Sequence, residues 1–411
     1  MTDLPSPARL FQRLNQLASL TDEPGSICRT FLSPAMRQAN ALVGGWMQEA
    51  GCEVTVDGWG NLIGHLPGPS PAAPTLLIGS HLDTVRNAGK FDGPLGVLIA
   101  LECIYALSEL KFLPPFHLDI LGFSDEEGTR FHTAYLGSKA LTGLIEPKDL
   151  DLRDAQGIRL GDAVASFQGV DSLALPRPRY RPDQLLGYLE VHIEQGPVLQ
   201  DLDQPLGIVD AIAAQNRYVF TFAGCAGHAG TTPMNLRHDA LAGAAEFVLA
   251  VEALGRRVPG LVATVGQLQV GPDVSNVIPD KVRLSVDIRH AELRLLEESC
   301  SQLADTSQKI ASQRGLEVNS SLIQATQPVA CAPRLIRLWD RVLDRGYQPP
   351  PHLISGAGHD GVILSQLTEV SMLFVRCKDG LSHHPAEETT PTDAAAAIAA
   401  LVEFLQHFHE R

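Results

Sequence analysis

A chain of 411 residues, 45% hydrophobic and 19% charged, exceeds what one ordinary core organises; it predicts two domains and excludes a disordered or fibrous protein. Thirty-two Lys and Arg against 47 Asp and Glu leave a formal net charge of -15, which repels phosphate backbones and anionic lipid, so no nucleic-acid and no membrane partner is expected. The first twenty residues show no basic region followed by a long apolar run and no small-residue cleavage site, and no run approaches about eighteen apolar residues, so a cytoplasmic enzyme is expected. Seven scattered cysteines without a C-x-x-C pair read as reduced, mostly buried thiols.

Along the chain, residues 8–21 and 33–50 carry apolar residues at helical spacing, with Gly51 as a stop for the second helix. Glu53 to Leu66 changes to strand-like text broken by a Gly turn, and a Pro-rich loop leads into TLLIGSHLDT, a central buried strand. Gly93 to Leu110 predicts a helix. FHLDILGFSDEE and GYLEVHIEQG predict further strands. Strands alternating with helices predict an α/β fold, a mostly parallel sheet with helices on both faces, whose ligands gather at the carboxyl ends of the strands.

From about Ala213 the order becomes strand, helix, two strands, helix, strand. This predicts a self-contained βαββαβ (ferredoxin-like) domain over 213–328, inserted into a catalytic domain made of 1–212 and 329–411. The closing sequence returns to a helix (RLIRLWDRVLDRG), a strand (MLFVRC) and a last helix (DAAAAIAALVEFLQHF).

The segment GSHLDTVRNAGKFDG places His81, Asp83 and Asp92 around a loop at a strand end, a donor set suited to a divalent ion. Asp83 is expected to accept a hydrogen bond from the second ring nitrogen of His81 and fix its tautomer. Alone, H-x-D is more often a polar loop than a metal site. Glu126 and Glu127 end the next strand, where adjacent carboxylates repel unless a cation or a proton compensates; side-chain alternation lets one bind metal while the other serves as general base. His192 lies inside a strand, and SHHPAE supplies His383 and His384 near the carboxyl terminus. Three separate histidine sites and three acidic sites at strand ends are enough for two ions sharing one carboxylate.

In order, GSHLDTVRNAGKFDG, FSDEEGTRF, EVHIEQGPVL, GHAGTTPM, SNVIP, SGAGHD and SHHPAE resemble the successive signatures of the hydantoinase/carbamoylase branch of the M20 metallopeptidase superfamily, across residues 79–388. The resemblance implies two divalent ions per subunit, zinc or manganese, with cobalt or nickel as alternatives. His81, Asp92 and His192 would hold one, and Asp92 would bridge to a second held by Glu127 and His383, with Glu126 as general base. A histidine at position 192, where many peptidase relatives carry an acidic residue, favours the ureido-hydrolysing members. The resemblance also assigns the substrate's carboxylate and amide groups to Gln195, His228, Asn276, Arg289 and Gly358. His228 would reach a neighbouring subunit's active site in a homodimer and stabilise the oxyanion. Arg289 suits this role chemically as a planar fork for a carboxylate. Gln215 and Arg217, near the domain junction, are expected as further contacts to a polar substrate.

The sequence departs from the family's Ser-His-Asn-Pro by placing His384 at the Asn position, which leaves His383 as the ligand. The substrate implied is a small ureido compound, with allantoate first and an N-carbamoyl-L-amino acid or β-ureidopropionate second. A peptidase, an aminoacylase or a non-catalytic binding protein of this fold are the remaining alternatives.

Overall fold

The computed structural model describes residues 7–171, 173–344 and 349–408. Residues 1–6, part of the segment read for a secretory signal, and Arg345 and Gly346, the end of one expected helix, lie outside this set. The described residues form two compact units, one of residues 1–210 and 331–411 and one of 211–330.

The first unit opens with helices Pro7–Ala18 and Pro34–Glu49. The second helix starts where the Ser33 side chain accepts from the Met36 amide and Pro34 takes the first helical position, and Gly51 follows its end at φ 92°, as helix capping predicts. Strands β1 (Glu53–Val56) and β2 (Leu62–Leu66) are joined by a turn in which Asp57 accepts from the Trp59 and Asn61 amides. So short a turn forces them antiparallel. The unit continues with β3 (Thr75–His81), β4 (His117–Phe123), β5 (Leu185–Ile193) and β6 (Leu206–Ile212).

Strands β7 (Ala214–Ala223), β8 (Gly227–His228), β9 (Val262–Gly271), β10 (Val277–Ile278), β11 (Lys281–His290) and β12 (Glu317–Ala325) follow in the second unit; β13 (Val329–Ala330), β14 (His352–Ser355) and β15 (Val370–Val375) complete the large sheet.

That sheet runs β1-β2-β4-β3-β5-β15-β6-β13, with β14 beside β6. Its centre, β4-β3-β5-β15, is parallel. All nine residues of β5 and all seven of β4 are buried, as for strands covered on both faces. Antiparallel strands flank this centre, β2 against β4 and β6 against β15, so the parallel character read from the sequence belongs to the four strands that carry the site. Helix Pro94–Glu109 is apolar on nearly every side and buried along most of its length, as a helix packed on several sides must be. Its one buried acid, Glu102, is held by Arg9 at 2.6 Å and Arg13 at 2.9 Å.

In the second unit β7, helix Ala240–Arg257, β9, β11, helix Leu293–Arg314 and β12 succeed one another, and the sheet is ordered β12-β7-β11-β9, antiparallel throughout. Period-two alternation buries Val282, Leu284, Val286 and Ile288 of β11 with Phe220, Phe222 and Phe247. The opposite side of β11 presents Asp287 and Arg289. Among the described residues no helix is long and apolar enough to cross a membrane.

Candidate metal centre

Four adjacent parallel strands deliver the site at or near their carboxyl ends. His81 ends β3, Glu126 and Glu127 lie just beyond β4, His192 is the penultimate residue of β5, and His383 follows β15. Asp92 comes from the loop after β3, directly before the helix at Pro94. A tight approach fixes that loop: a β-carbon on Gly93 would meet the His81 ring at 2.5 Å, and Gly93 sits at φ 81°.

Three groups of potential ligand atoms each lie within 4.8 Å of one another: His81, Asp92 and His192; Asp92, Glu127 and His383; and His81, Glu126 and Glu127. Asp92 is common to the first two. Its Oδ1 is 3.1 Å from His192 Nε2 and 3.6 Å from His81 Nε2, and its Oδ2 is 3.1 Å from His383 Nε2. His383 Nε2 is 3.4 Å from Glu127 Oε1.

The tautomers follow from the other ring nitrogens. His192 Nδ1 donates to the Ile193 carbonyl at 2.9 Å and His81 Nδ1 to the Asp83 carbonyl at 3.0 Å. A carbonyl only accepts, so in the neutral rings both Nε2 atoms present lone pairs toward Asp92. Asp92 Oδ1 and His192 Nε2 are both buried and without a hydrogen-bond partner. Two acceptors facing each other at 3.1 Å call for a cation or a proton between them, and the donor set, imidazole and carboxylate, fits a divalent metal.

The charges agree. Burial drives the Asp92 carboxyl up, but the imidazoles of His192, His383 and His81 outweigh it and hold it well below the usual range. Burial, then the charge of Glu127, pushes Glu126 well above its usual value. The His383 ring, beside Asp92 and Glu127, is pushed up to about 10.

Asp83 differs from expectation in one detail. The ring of His81 bonds its main-chain carbonyl, with the carboxylate at 3.5 Å. The carboxylate instead accepts from the main-chain amides of Glu126 at 2.9 Å and Glu127 at 3.2 Å. It therefore positions the acidic pair as well as the ring. His384 is exposed, its Nδ1 accepts from the Ala386 amide at 3.1 Å, and it enters none of the three groups.

Gln195, at φ 56°, donates to Asp92 Oδ2 at 3.2 Å and to Ser382 Oγ at 3.0 Å. Gly358 lies where a β-carbon would be 1.8 Å from the Tyr135 hydroxyl, so it has to be glycine for Tyr135 to pack there. Tyr135, Ser382 and Glu387 were not singled out from the sequence. Glu387 accepts from the Phe91 and Asp92 amides at 2.8 and 2.9 Å, and burial with the charge of Asp92 pushes its carboxyl up to about 7.

The remaining sequence-derived residues lie in the second unit, in two groups. His228 and Asn276 are neighbours, since β8 pairs with β10 and the Ala229 amide bonds the Asn276 carbonyl at 2.9 Å. His228 is exposed, and its Nδ1 accepts from the Gly230 amide at 3.1 Å. The proton of the neutral ring is then on Nε2, an outward donor. Gln215, Arg217 and Arg289 converge on Asp287: Arg289 Nε at 2.8 Å, Arg217 Nη2 at 3.0 Å, and Gln215 Nε2 through a short hydrogen bond. The fork of Arg289, read as a substrate contact, thus has a carboxylate partner within its own strand. D-x-R on one face of β11 was the available signal for Asp287.

Comparison with known proteins now adds to this geometry. The model of peptidase family M20/M25/M40 matches residues 77–407. The N-carbamoyl-L-amino acid amidohydrolase of Geobacillus stearothermophilus is 40% identical over 394 residues, covering 96% of each chain. The allantoate deiminase of Arabidopsis thaliana is 36% identical, over 96% of this chain and 81% of its own. A crystal structure of an amidase of the hydantoinase/carbamoylase family from Burkholderia multivorans superposes with a TM-score of 0.91 at 34% identity, over 98% of both chains. The chain therefore belongs to peptidase family M20/M25/M40, in its hydantoinase/carbamoylase branch, and is a metal-dependent hydrolase of carbon–nitrogen bonds other than the peptide bond.

Proposed function

We propose that this enzyme hydrolyses the ureido C–N bond of a small carboxylate-bearing substrate, using two divalent ions, zinc or manganese, that share Asp92. The observation that carries this is the pair of ligand groups, His81–Asp92–His192 and Asp92–Glu127–His383, joined through one carboxylate. When bound, the ions polarise the ureido carbonyl and acidify water.

The residues supply the rest. Glu126, outside both of those groups and held by Asp83 through its amide, takes the proton of the attacking water and returns it to the leaving nitrogen. Its raised pKa suits a group that must be both base and acid. His228 Nε2–H donates to the oxyanion formed on attack, and Arg289 with Asn276 receives the substrate carboxylate; Gln195 and Gly358 contact its amide groups, with Gln215 and Arg217 alongside. The assembly is a homodimer in which His228 serves the partner's site.

As substrate we favour allantoate, on the sequence from Met372 to Glu387. N-carbamoyl-L-amino acids are the second reading, favoured by the 40% identity to the Geobacillus enzyme. Both present a ureido group next to a carboxylate and release ammonia. Ammonia release from allantoate and several N-carbamoyl-L-amino acids, with newly freed amino groups measured on dipeptide controls, decides between them. Turnover of allantoate alone establishes the first, preference for a carbamoyl amino acid the second, and hydrolysis of dipeptides only would overturn both.

A further inference from the structure

Glu387 belongs to no ligand group, yet it is 4% exposed and spends both its oxygens on the site. Oε1 accepts from the Phe91 and Asp92 amides at 2.8 and 2.9 Å, across 296 and 295 residues of sequence. Oε2 lies 3.2 Å from Ser382 Oγ, which is itself 2.9 Å from Asp92 Oδ2. Gln195 Nε2 donates to that same hydroxyl at 3.0 Å. Ser382 adjoins His383. The loop opposite is shaped to admit Glu387, since a β-carbon on Gly89 would stand 2.4 Å from its Cβ and 2.5 Å from Oε1.

We propose that Glu387 is a positioning residue for the metal centre: it clamps the loop that bears Asp92 to the segment that bears His383, with Gly89 as the space it needs. Asp92, the shared ligand, and His383, one of the two ligands unique to the second ion, come from loops, not from strand interiors. Nothing in the sheet fixes their separation. A single carboxylate that holds Asp92 by its main chain and, through Ser382, by its side chain removes that freedom, and ordering lost before binding raises affinity.

This rests on the proposed metal chemistry, and the test separates the two. Protein stripped with chelator is titrated with Mn²⁺, and free ion is read by its electron paramagnetic resonance signal. Thermal unfolding in chelator reports folding independently. Glu387→Ala is expected to weaken Mn²⁺ binding about 10- to 100-fold. Glu387→Gln keeps the pattern, because its oxygen accepts from both amides and its amide nitrogen donates to Ser382 Oγ, leaving the serine proton for Asp92; its affinity stays within about threefold of wild type. Gly89→Ala, which pushes residue 387 away, weakens binding like Glu387→Ala, and these last two variants carry the test if Glu387→Ala does not fold. Unchanged affinity in Glu387→Ala and Gly89→Ala, or a loss in Glu387→Gln as large as in Glu387→Ala, overturns the clamp. A wild-type chain that binds neither Mn²⁺ nor, in the same titration by competition and dialysis, Zn²⁺ overturns the metal proposal with it.

Discussion

Asp83 Oδ1 accepts the main-chain amide of Glu126 at 2.9 Å, so the residue two beyond one ligand fixes the backbone of the proposed base. The same carboxylate holds the Glu127 amide at 3.2 Å. One side chain therefore sets the spacing between the ends of β3 and β4.

Replacing Asp83 with Ala strands the buried Glu126 amide, at a cost of about 1–3 kcal/mol, and the part-buried Glu127 amide. The expected outcome is a lowered unfolding midpoint together with a fall of at least about tenfold in kcat at saturating metal. Denaturation and steady-state kinetics on the same preparation check both. A kcat equal to wild type would show that Glu126 keeps its place without Asp83.

Arg289 donates through Nε and Nη2 to Asp287, a planar arrangement that an ammonium group does not reproduce. Arg289→Lys should raise KM for a carboxylate-bearing ureide about 10- to 100-fold, the worth of a charge-assisted hydrogen bond of about 1.5–3 kcal/mol. The change in kcat should be smaller. A variant whose KM is unchanged, with intact folding, would remove Arg289 from substrate binding.

His352 bridges Asp210 at 2.7 Å and Asp340 at 2.9 Å. The hydrogen bond that its ring donates to Asp210 leads the causes that raise its pKa above the usual value of about 6.5. With the folded pKa raised, the stabilisation is complete below the unfolded pKa of about 6.5 and is lost as pH rises through the higher folded value. The unfolding midpoints of wild type and His352→Gln should therefore differ most at about pH 5.5 and converge at alkaline pH. Because all three groups are partly exposed, added salt should shrink the gap. A difference that is flat across pH would contradict this assignment.

If His228 serves the partner's site, an inactive His228→Ala chain mixed with an inactive Glu126→Gln chain should regain activity, since one of the two sites in each hybrid dimer is intact. Up to about a quarter of the wild-type activity is expected from random pairing of equal amounts. Absence of recovery, with subunit exchange shown by mass, would argue for a site complete within one chain.

The residues legible in the sequence were those whose role depends on position along a strand. His81, Asp92, Glu126, Glu127, His192 and His383 stand at or near the carboxyl ends of apolar runs, where a parallel sheet gathers ligands, and the structure brings them together. Glu387 was not legible, because it acquires its meaning from a loop some 295 residues away; Asp287 offered only its D-x-R spacing, since its partners Gln215 and Arg217 lie on β7. The flanking antiparallel strands were obscured for a related reason. β6 is antiparallel to β15, which lies beyond the whole second unit, and no local periodicity carries that pairing. Spacing alone tied Asp83 to the His81 ring, but the ring bonds its main-chain carbonyl; the bonds of its carboxylate to the two amides depend on β4 lying beside β3.

The most direct measurement is the metal content and ammonia release of the same protein, stripped with chelator and then reloaded with zinc or manganese, for wild type and for Glu126→Gln. The account predicts two ions per chain in both on reloading, ammonia from a carboxylate-bearing ureide only in reloaded wild type, and a loss of about 10²- to 10⁴-fold in the variant. Turnover by stripped protein shown to be metal-free, or full activity in Glu126→Gln, would contradict it.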